Sequence, residues 1–522
     1  MEMAVITKIR LWNFRRFRNY TIEPNEKFNV FVGDNEVGKS TILEAIDIVA
    51  GGNIRWVEAI GLDKLFNIDS VREFNAGRRD FNHLPVLRIE LYLSGDFDHT
   101  MNGKNNLDGR TCDGIRLVCE PNPDFSSEIS EALYTNETYF PYDYYSIRFS
   151  TFADLGYSGY KKKIRTVLID STSMSSEYAT TDFVRRMYHH CTETDAAARA
   201  LHKSQYRLMR SRYGAESLKS LNERVHPEGQ YTFGLKSRTS LDFENDLMIY
   251  EGNIGIDSRG TGRQVFIKTN FALKRSGDNV DVILIEEPEN HLSPVNLRKL
   301  VQDVANTQGG QLFITTHNSL ISTRLELKNL LIMHADNGET PIKLRDLSDD
   351  TAKYFMKTPP AGIIEYALSK KAILVEGPSE YMLLDCFYKQ VTGHSPEDDE
   401  VNIIDIRGLS FKRYLEIAVL TGSKIAVITD NDKDWQKHCV DKYCEFKNTA
   451  NIQIFYHTDN NEWTLEVVLY VGNQVLCDKL FKADALEYML KNKTEAAYCL
   501  LEQQQSIVVP EYIVRAINWI RQ

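Results

Sequence analysis

Between Phe28 and Thr41 the chain reads FNVFVGDNEVGKST. An apolar run stops at Gly33, four residues follow, and Gly38, Lys39 and Ser40 complete a G-x4-G-K-S spacing. Few sequences constrain a fold more tightly. The run is a buried strand, the glycines let backbone N–H groups wrap a phosphate, and a helix must start at once so that its positive end faces the anion. Ile42, Leu43, Ile46 and Ile48 give that helix its apolar residues. In this reading Gly33, Asn35, Gly38, Lys39, Ser40 and Thr41 bind ATP, with Lys39 on the β- and γ-phosphates and Ser40 on Mg²⁺.

The rest of the chain is long enough to build on this loop. Its 522 residues argue for about three domains. A formal charge of −11 excludes a generally basic nucleic-acid coat. It leaves room for local basic patches or metal ions in a DNA groove. The eight cysteines contain no C-x-x-C pair, and neither Cys439 with Cys444 nor His189, His190 and Cys191 has a second ligand pair at zinc spacing. Reduced thiols in a cytoplasmic protein are expected. MEMAVITKIRLWNF has no signal-peptide core, and no apolar run approaches the roughly 20 residues of a membrane span.

Residues 4–24 alternate and predict an edge hairpin, with Arg15, Arg16 and Arg18 in its turn. Those arginines serve phosphates or nucleic acid, or are simply solvated. Residues 84–93, LPVLRIELYL, predict a strand, and 95–146 predict short strands and turns. From KKKIR (161–165) to 224 the chain reads as a helical insertion. Arg199, Lys203, Arg207 and Arg210 share one helix face there, facing DNA, a second protomer or solvent.

The nucleotide pattern then resumes. Ser258-Arg259-Gly260-Thr261-Gly262-Arg263-Gln264 precedes a helical run. VDVILIEEPE (280–289) is a buried strand ending in two carboxylates. Glu286 is placed on Mg²⁺ and Glu287 on the attacking water. His291, Leu292 and Pro294 continue the pattern, and Leu312–Thr315 predicts another buried strand. His317, just past it, is placed as a γ-phosphate sensor.

These four motifs, in this order, resemble the ABC-type ATPases of the SMC and RecF group. The resemblance implies two ATPase domains sandwiching nucleotide, with Ser258, Gly260 and Gly262 reaching a partner's γ-phosphate. One departure is Glu286-Glu287, where the family usually has Asp-Glu; a longer metal ligand is expected to slow hydrolysis.

Residues 346–362, with Pro359-Pro360, read as a bridge. Beyond it the pattern is strand–helix–strand–helix–strand. Lys371–Val375 ends at EGPSE (376–380), Val401–Ile406 at Arg407-Gly408, and Lys424–Thr429 at Asp430-Asn431-Asp432. Right-handed crossovers make such strands parallel and bring Glu376, Asp430 and Asp432 to their carboxyl ends. Carboxylates gathered there repel unless Mg²⁺ or Mn²⁺ neutralises them.

E-G-x-x-E followed by D-x-D resembles the Toprim domain, and an ABC ATPase ahead of Toprim resembles the OLD (overcoming lysogenization defect) endonucleases. The implied fold is α/β: residues 1–155 and 231–345 as ATPase, 156–230 as a dimerising helical insertion, 346–362 as linker and 363–522 as Toprim. The implied metal ligands are Glu376, Glu380, Asp430, Asp432 and Glu466, with Lys493 as a catalytic basic residue. The resemblance further implies a DNA substrate and a homodimer or higher homo-oligomer. It also implies phage defence beside a helicase-like protein or a retron reverse transcriptase with its DNA. A DNA-sensing protein with inactive Toprim, and a Toprim primase or topoisomerase, are the rivals.

Overall fold

The computed structural model describes residues 4–135, 139–158, 163–170, 177–192, 195–225, 231–235, 243–268, 281–290, 292–305, 310–334, 339–358, 362–408, 410–481, 484–503 and 507–522. Lys161, Lys162, His291, Pro359 and Pro360, singled out above, lie outside them. The chain divides into two compact units. One comprises Met1–Arg18 and Ser40–Ile314, the other Asn19–Lys39 and Thr315–Gln522.

In the first unit an antiparallel sheet is laid down by alternation. Val5–Phe14 pairs with Leu87–Ser94, which pairs with Cys112–Pro121, which pairs with Tyr145–Thr151. Ile6 and Ile9 are three apart yet both fully buried, because the register shifts between Ile6 and Lys8. A bulge adds one residue and resets which side chains face inward. Phe17–Ile22 is the edge strand and Val5–Phe14 pairs on its inner side, so the hairpin lies at the edge of the sheet as its alternation predicts. Two of the turn arginines form ion pairs, the half-buried Arg15 with Glu44 at 2.6 Å and the solvent-exposed Arg18 with Glu73 at 2.5 Å.

Two expectations change in this unit. The stretch 95–146 holds a ten-residue strand, Cys112–Pro121, and a helix, Ser126–Thr135. Its Asn, Asp and Gly clusters mark the ends of these elements, not their absence. Residues 166–170, read as the start of the helical insertion, form a strand parallel to Val282–Glu286. Val282–Ile285 are 0–1% exposed, as a strand covered on both faces requires. The helical stretch proper begins with Glu177–Cys191 and Ala196–Arg212. On the latter no residue is buried, and Lys203 is paired with Glu244 at 3.0 Å.

The second unit contains two sheet regions. Phe28–Gly33 runs parallel to Leu330–Met333, which takes Ile342–Lys343 antiparallel on its other side. Residues 346–362 are more than a bridge. Asp349–Lys357 is a helix capped by the Ser348 hydroxyl, and its fully buried Phe355 packs edge-on against Tyr414.

The other region is a four-stranded parallel sheet in the order Val401–Asp405, Lys371–Val375, Lys424–Ile428, Ile452–Phe455. The chain leaves Lys371–Val375 toward one side and returns on the other. That reversal opens a crevice at the carboxyl ends of Lys371–Val375 and Lys424–Ile428, the place where such sheets hold ligands. Helices Pro378–Thr392 and Glu511–Arg521 cover the sheet through Leu383, Leu384, Phe387, Ile513, Ala516, Ile517 and Ile520.

Candidate active site

The crevice is built by strand ends and helix starts. Glu376 follows Lys371–Val375 directly, and its Oε1 accepts from the Thr429 hydroxyl at 2.6 Å. Neighbouring strand ends are thus tied through the carboxylate. Glu380 lies in the first turn of Pro378–Thr392. Asp430 Oδ1 accepts from Leu465 N–H at 3.0 Å, the first residue of Leu465–Gly472, and so caps the helix that carries Glu466.

Glu466 is 3% exposed. Its Oε2 lies 2.9 Å from Lys493 Nζ, while Oε1 is buried without a hydrogen bond. Burial, then the Glu466 and Glu376 charges, push Glu380 up to about 7. Burial, then Glu376 and Glu380, push Asp430 up to about 8. For Lys493 burial works the other way, but Glu466, Asp430 and Glu380 outweigh it and hold the ammonium above the usual lysine range. Four carboxylates and one ammonium therefore share one field.

Asp432 is set apart. It is exposed, with φ 49°, and its N–H donates to Trp463 O at 3.3 Å. Among the described residues no three His, Cys, Asp or Glu form a closed cation cage. The donor set still fits a hard divalent cation: it is carboxylate throughout, and Glu466 Oε1 is a buried oxygen in need of a partner.

Two residues here escaped the sequence reading. Asn431 is 1% exposed and donates through Nδ2 to the carbonyls of His457 at 2.9 Å, Asp459 at 2.8 Å and Glu462 at 3.2 Å. It fastens the Asp430–Asp432 loop to the loop before Glu466. Tyr512 is buried beneath the cluster; burial and the charges of Asp430, Glu380, Glu466 and Glu376 keep its hydroxyl protonated. No spacing rule signals either: Asn431 stands at the variable position of D-x-D and finds its partners 26 to 31 residues on, and Tyr512 comes from the last helix of the chain.

The phosphate loop has its own local logic. A Cβ on Gly33 would come within 2.4 Å of Met333 O, so only glycine pairs with Met333 in register there. Gly38 has φ 96°, a conformation that favours glycine. Lys39 is 5% exposed and its ammonium donates to the carbonyls of Gly33 at 2.9 Å and Asp34 at 2.8 Å. Asp34, Asn35 and Ser40 are exposed and Thr41 is half-buried. Asp34 and His317 help line a cavity of about 640 Å³ that Glu365, Lys370 and Asn402 also border.

The remaining nucleotide residues belong to the first unit. Glu286 ends its strand, and Glu287, at φ 37°, accepts from Asn290 Nδ2 at 2.7 Å. Ser258 and Gly260 are exposed and Gly262 is half-buried. Gly260 starts a helix, its carbonyl accepting from Arg263 and Gln264 N–H. A side chain added at Gly260 would meet nothing within 4 Å.

Two family models match this chain. An AAA ATPase domain covers residues 5–139 and 123–321, more than half of the sequence. An overcoming-lysogenization-defect-protein-like TOPRIM domain covers 368–432, which includes Glu376, Glu380, Asp430 and Asp432 but stops before Glu466 and Lys493. No curated protein matches. Among solved structures, an Smc head bound to the C-winged helix domain of ScpA is similar at 16% identity and TM-score 0.32, over 66% of this chain and 100% of that one. An Smc head with an extended coiled coil, bound to the C-terminal domain of ScpA from Pyrococcus furiosus, gives 16% and 0.32 over 69% and 100%. Scores that low lie beneath a shared fold, and the assignment rests on the sheets and the two family models. Among the described residues, no helix is long and apolar enough to cross a membrane. With its ATPase domain ahead of a parallel Toprim sheet, this chain belongs to the OLD family of ATPase–Toprim proteins.

Proposed function

We propose that the protein is an ATP-binding, divalent-metal-dependent DNA endonuclease, acting as a cytoplasmic homo-oligomer in defence against phage. The observation that carries the reading is the crevice cluster of Glu376, Glu380, Asp430 and Glu466 with Lys493. Glu376, Asp430 and Glu466 would hold Mg²⁺ or Mn²⁺, with Glu380 beside them and Asp432 joining from the rim. Bound there, the cation would supply Lewis-acid stabilisation and an activated water for phosphodiester hydrolysis. Lys493 keeps its charge and neutralises the phosphate as negative charge builds on it. The Asp430 cap and the Thr429 bond hold two carboxylates in fixed orientation, so little reorganisation accompanies substrate binding.

In this reading ATP on the phosphate loop sets the geometry of the protomers. Glu286 takes Mg²⁺, Glu287 orients water, His317 senses the γ-phosphate, and Ser258, Gly260 and Gly262 serve a partner's nucleotide. The ATPase comprises residues 1–170 and 231–345, the dimerising arm lies between them, and Toprim is 363–522. One observation favours the rival, a DNA sensor with a silent Toprim: the carboxylates form no closed cage. Supercoiled plasmid with Mg²⁺ or Mn²⁺, with and without ATP, separates the two. Nicked and linear products that vanish with EDTA support the nuclease; intact plasmid retarded on a gel supports the sensor.

A further inference from the structure

The crevice carboxylates are flanked along the sheet edge by two cations that the chemistry above does not use. On the outer strand, Val401–Asp405 ends in Arg407 at φ 51°, and Gly408 N–H donates to Glu376 O at 3.0 Å. The Arg407 side chain is 77% exposed, its nearest carboxylate being Asp405 at 3.9 Å. On the other flank Lys433 follows Asp432 at φ 69°, and its N–H donates to Asn431 Oδ1 at 2.9 Å. Left-handed backbone is disfavoured for any side chain with a Cβ, and such residues gather at functional sites. Here they hold one exposed cation on each side of Glu376 and Asp430. Lys433 Nζ lies 4.5 Å from the Trp463 ring centroid, and Trp463 O accepts from Asp432 N–H. An indole thus stands on the rim beside a cation and three residues before Glu466.

We propose that Arg407 and Lys433 hold the phosphates on either side of the one being cut, and that Trp463 stacks on an unpaired base. The site then takes a single strand or a frayed end in preference to intact duplex. Lys433 leaves the indole face for a phosphate as the base takes that face, so one ring serves a cation before binding and a nucleobase after. This deepens the nuclease reading and rests on it.

Binding is measured by fluorescence anisotropy on the full chain carrying Asp430→Asn, with a labelled oligothymidine and a blunt duplex. Each of Arg407→Gln and Lys433→Gln should flatten the single-strand plot of log affinity against log salt by about 0.7. Trp463→Ala should weaken single-strand binding about tenfold and duplex binding far less, with Trp463→Phe restoring most of the loss. Unchanged salt slopes, or a Trp463→Ala loss equal on both substrates, overturn the proposal. Cutting is read separately on chains with Asp430 intact. Absence of metal-dependent cleavage there overturns the nuclease reading, whereas normal cleavage with unchanged slopes overturns only this strand track.

Discussion

Asp430 is buried, and in the field of three other carboxylates, and that fixes how the protein answers to pH. Its carboxyl is pushed to about 8 and that of Glu380 to about 7, from ordinary values of 3.8 and 4.5. A carboxyl raised in the fold binds its proton more tightly there than in the unfolded chain. The stability it contributes is complete below about pH 4 and is lost as pH rises through 7 and 8. Thermal melts in EDTA should therefore show these two groups lowering Tm from about pH 5 to about pH 9. A divalent cation replaces the protons, so the Tm gain from Mg²⁺ or Mn²⁺ should grow across the same window. A gain independent of pH, or one that survives in Asp430→Asn, contradicts a shared carboxylate site. At the phosphate loop the decisive residue is Lys39, whose ammonium already rests on the Gly33 and Asp34 carbonyls. Lys39→Ala should weaken ATP binding by about thirtyfold or more while circular dichroism stays unchanged, since a charge-assisted contact to phosphate is lost. Equal ATP affinity in a folded variant would remove the loop from the nucleotide site.

The loop Asp430–Asp432 works as an element only because Asn431 is sewn to its neighbour by three carbonyls. Asn431→Ala removes three bonds to part-buried carbonyls, at a cost of roughly 1–3 kcal/mol. Urea unfolding should show that loss, and Mn²⁺ should half-saturate at higher concentration; a change in neither would mean the bonds are incidental. How far such elements can be read from sequence depends on whether their signal is local. The strands Lys371–Val375 and Lys424–Ile428 were legible because Ala372–Val375 and Ile425–Ile428 are unbroken apolar runs, each ended by a carboxylate loop. The length of Cys112–Pro121 was missed although Ile115, Leu117 and Cys119 alternate, because turn-forming residues crowd its ends and a buried Arg116 reads as a solvated position. That arginine is 7% exposed and pairs with Asp154 at 2.8 Å, a partner 38 residues away. Glu466 and Lys493 came through family resemblance alone. What unites them with Asp430 is a helix cap and an ion pair formed only in three dimensions.

At the scale of the whole molecule the account joins a nucleotide-binding half to a nucleic-acid-cutting half in each protomer. The exposed Ser258 and Gly260 carry the proposal that nucleotide is shared between protomers. Lys39→Ala and Gly260→Trp chains, each inactive in ATP hydrolysis alone, should recover activity when mixed, because some hybrid sites are then wholly wild type. No recovery after proven subunit exchange would leave each protomer with its own complete site. The central claim, that the Toprim crevice is the cutting centre, meets its most direct test in purified Asp430→Ala assayed on supercoiled plasmid with Mn²⁺, beside ATP binding on the same preparation. The account predicts that nicking and linearisation fall by at least about a hundredfold, with the metal's role in the reaction lost, while ATP affinity is unchanged. Cleavage at the wild-type rate, with contaminating nuclease excluded, would contradict it.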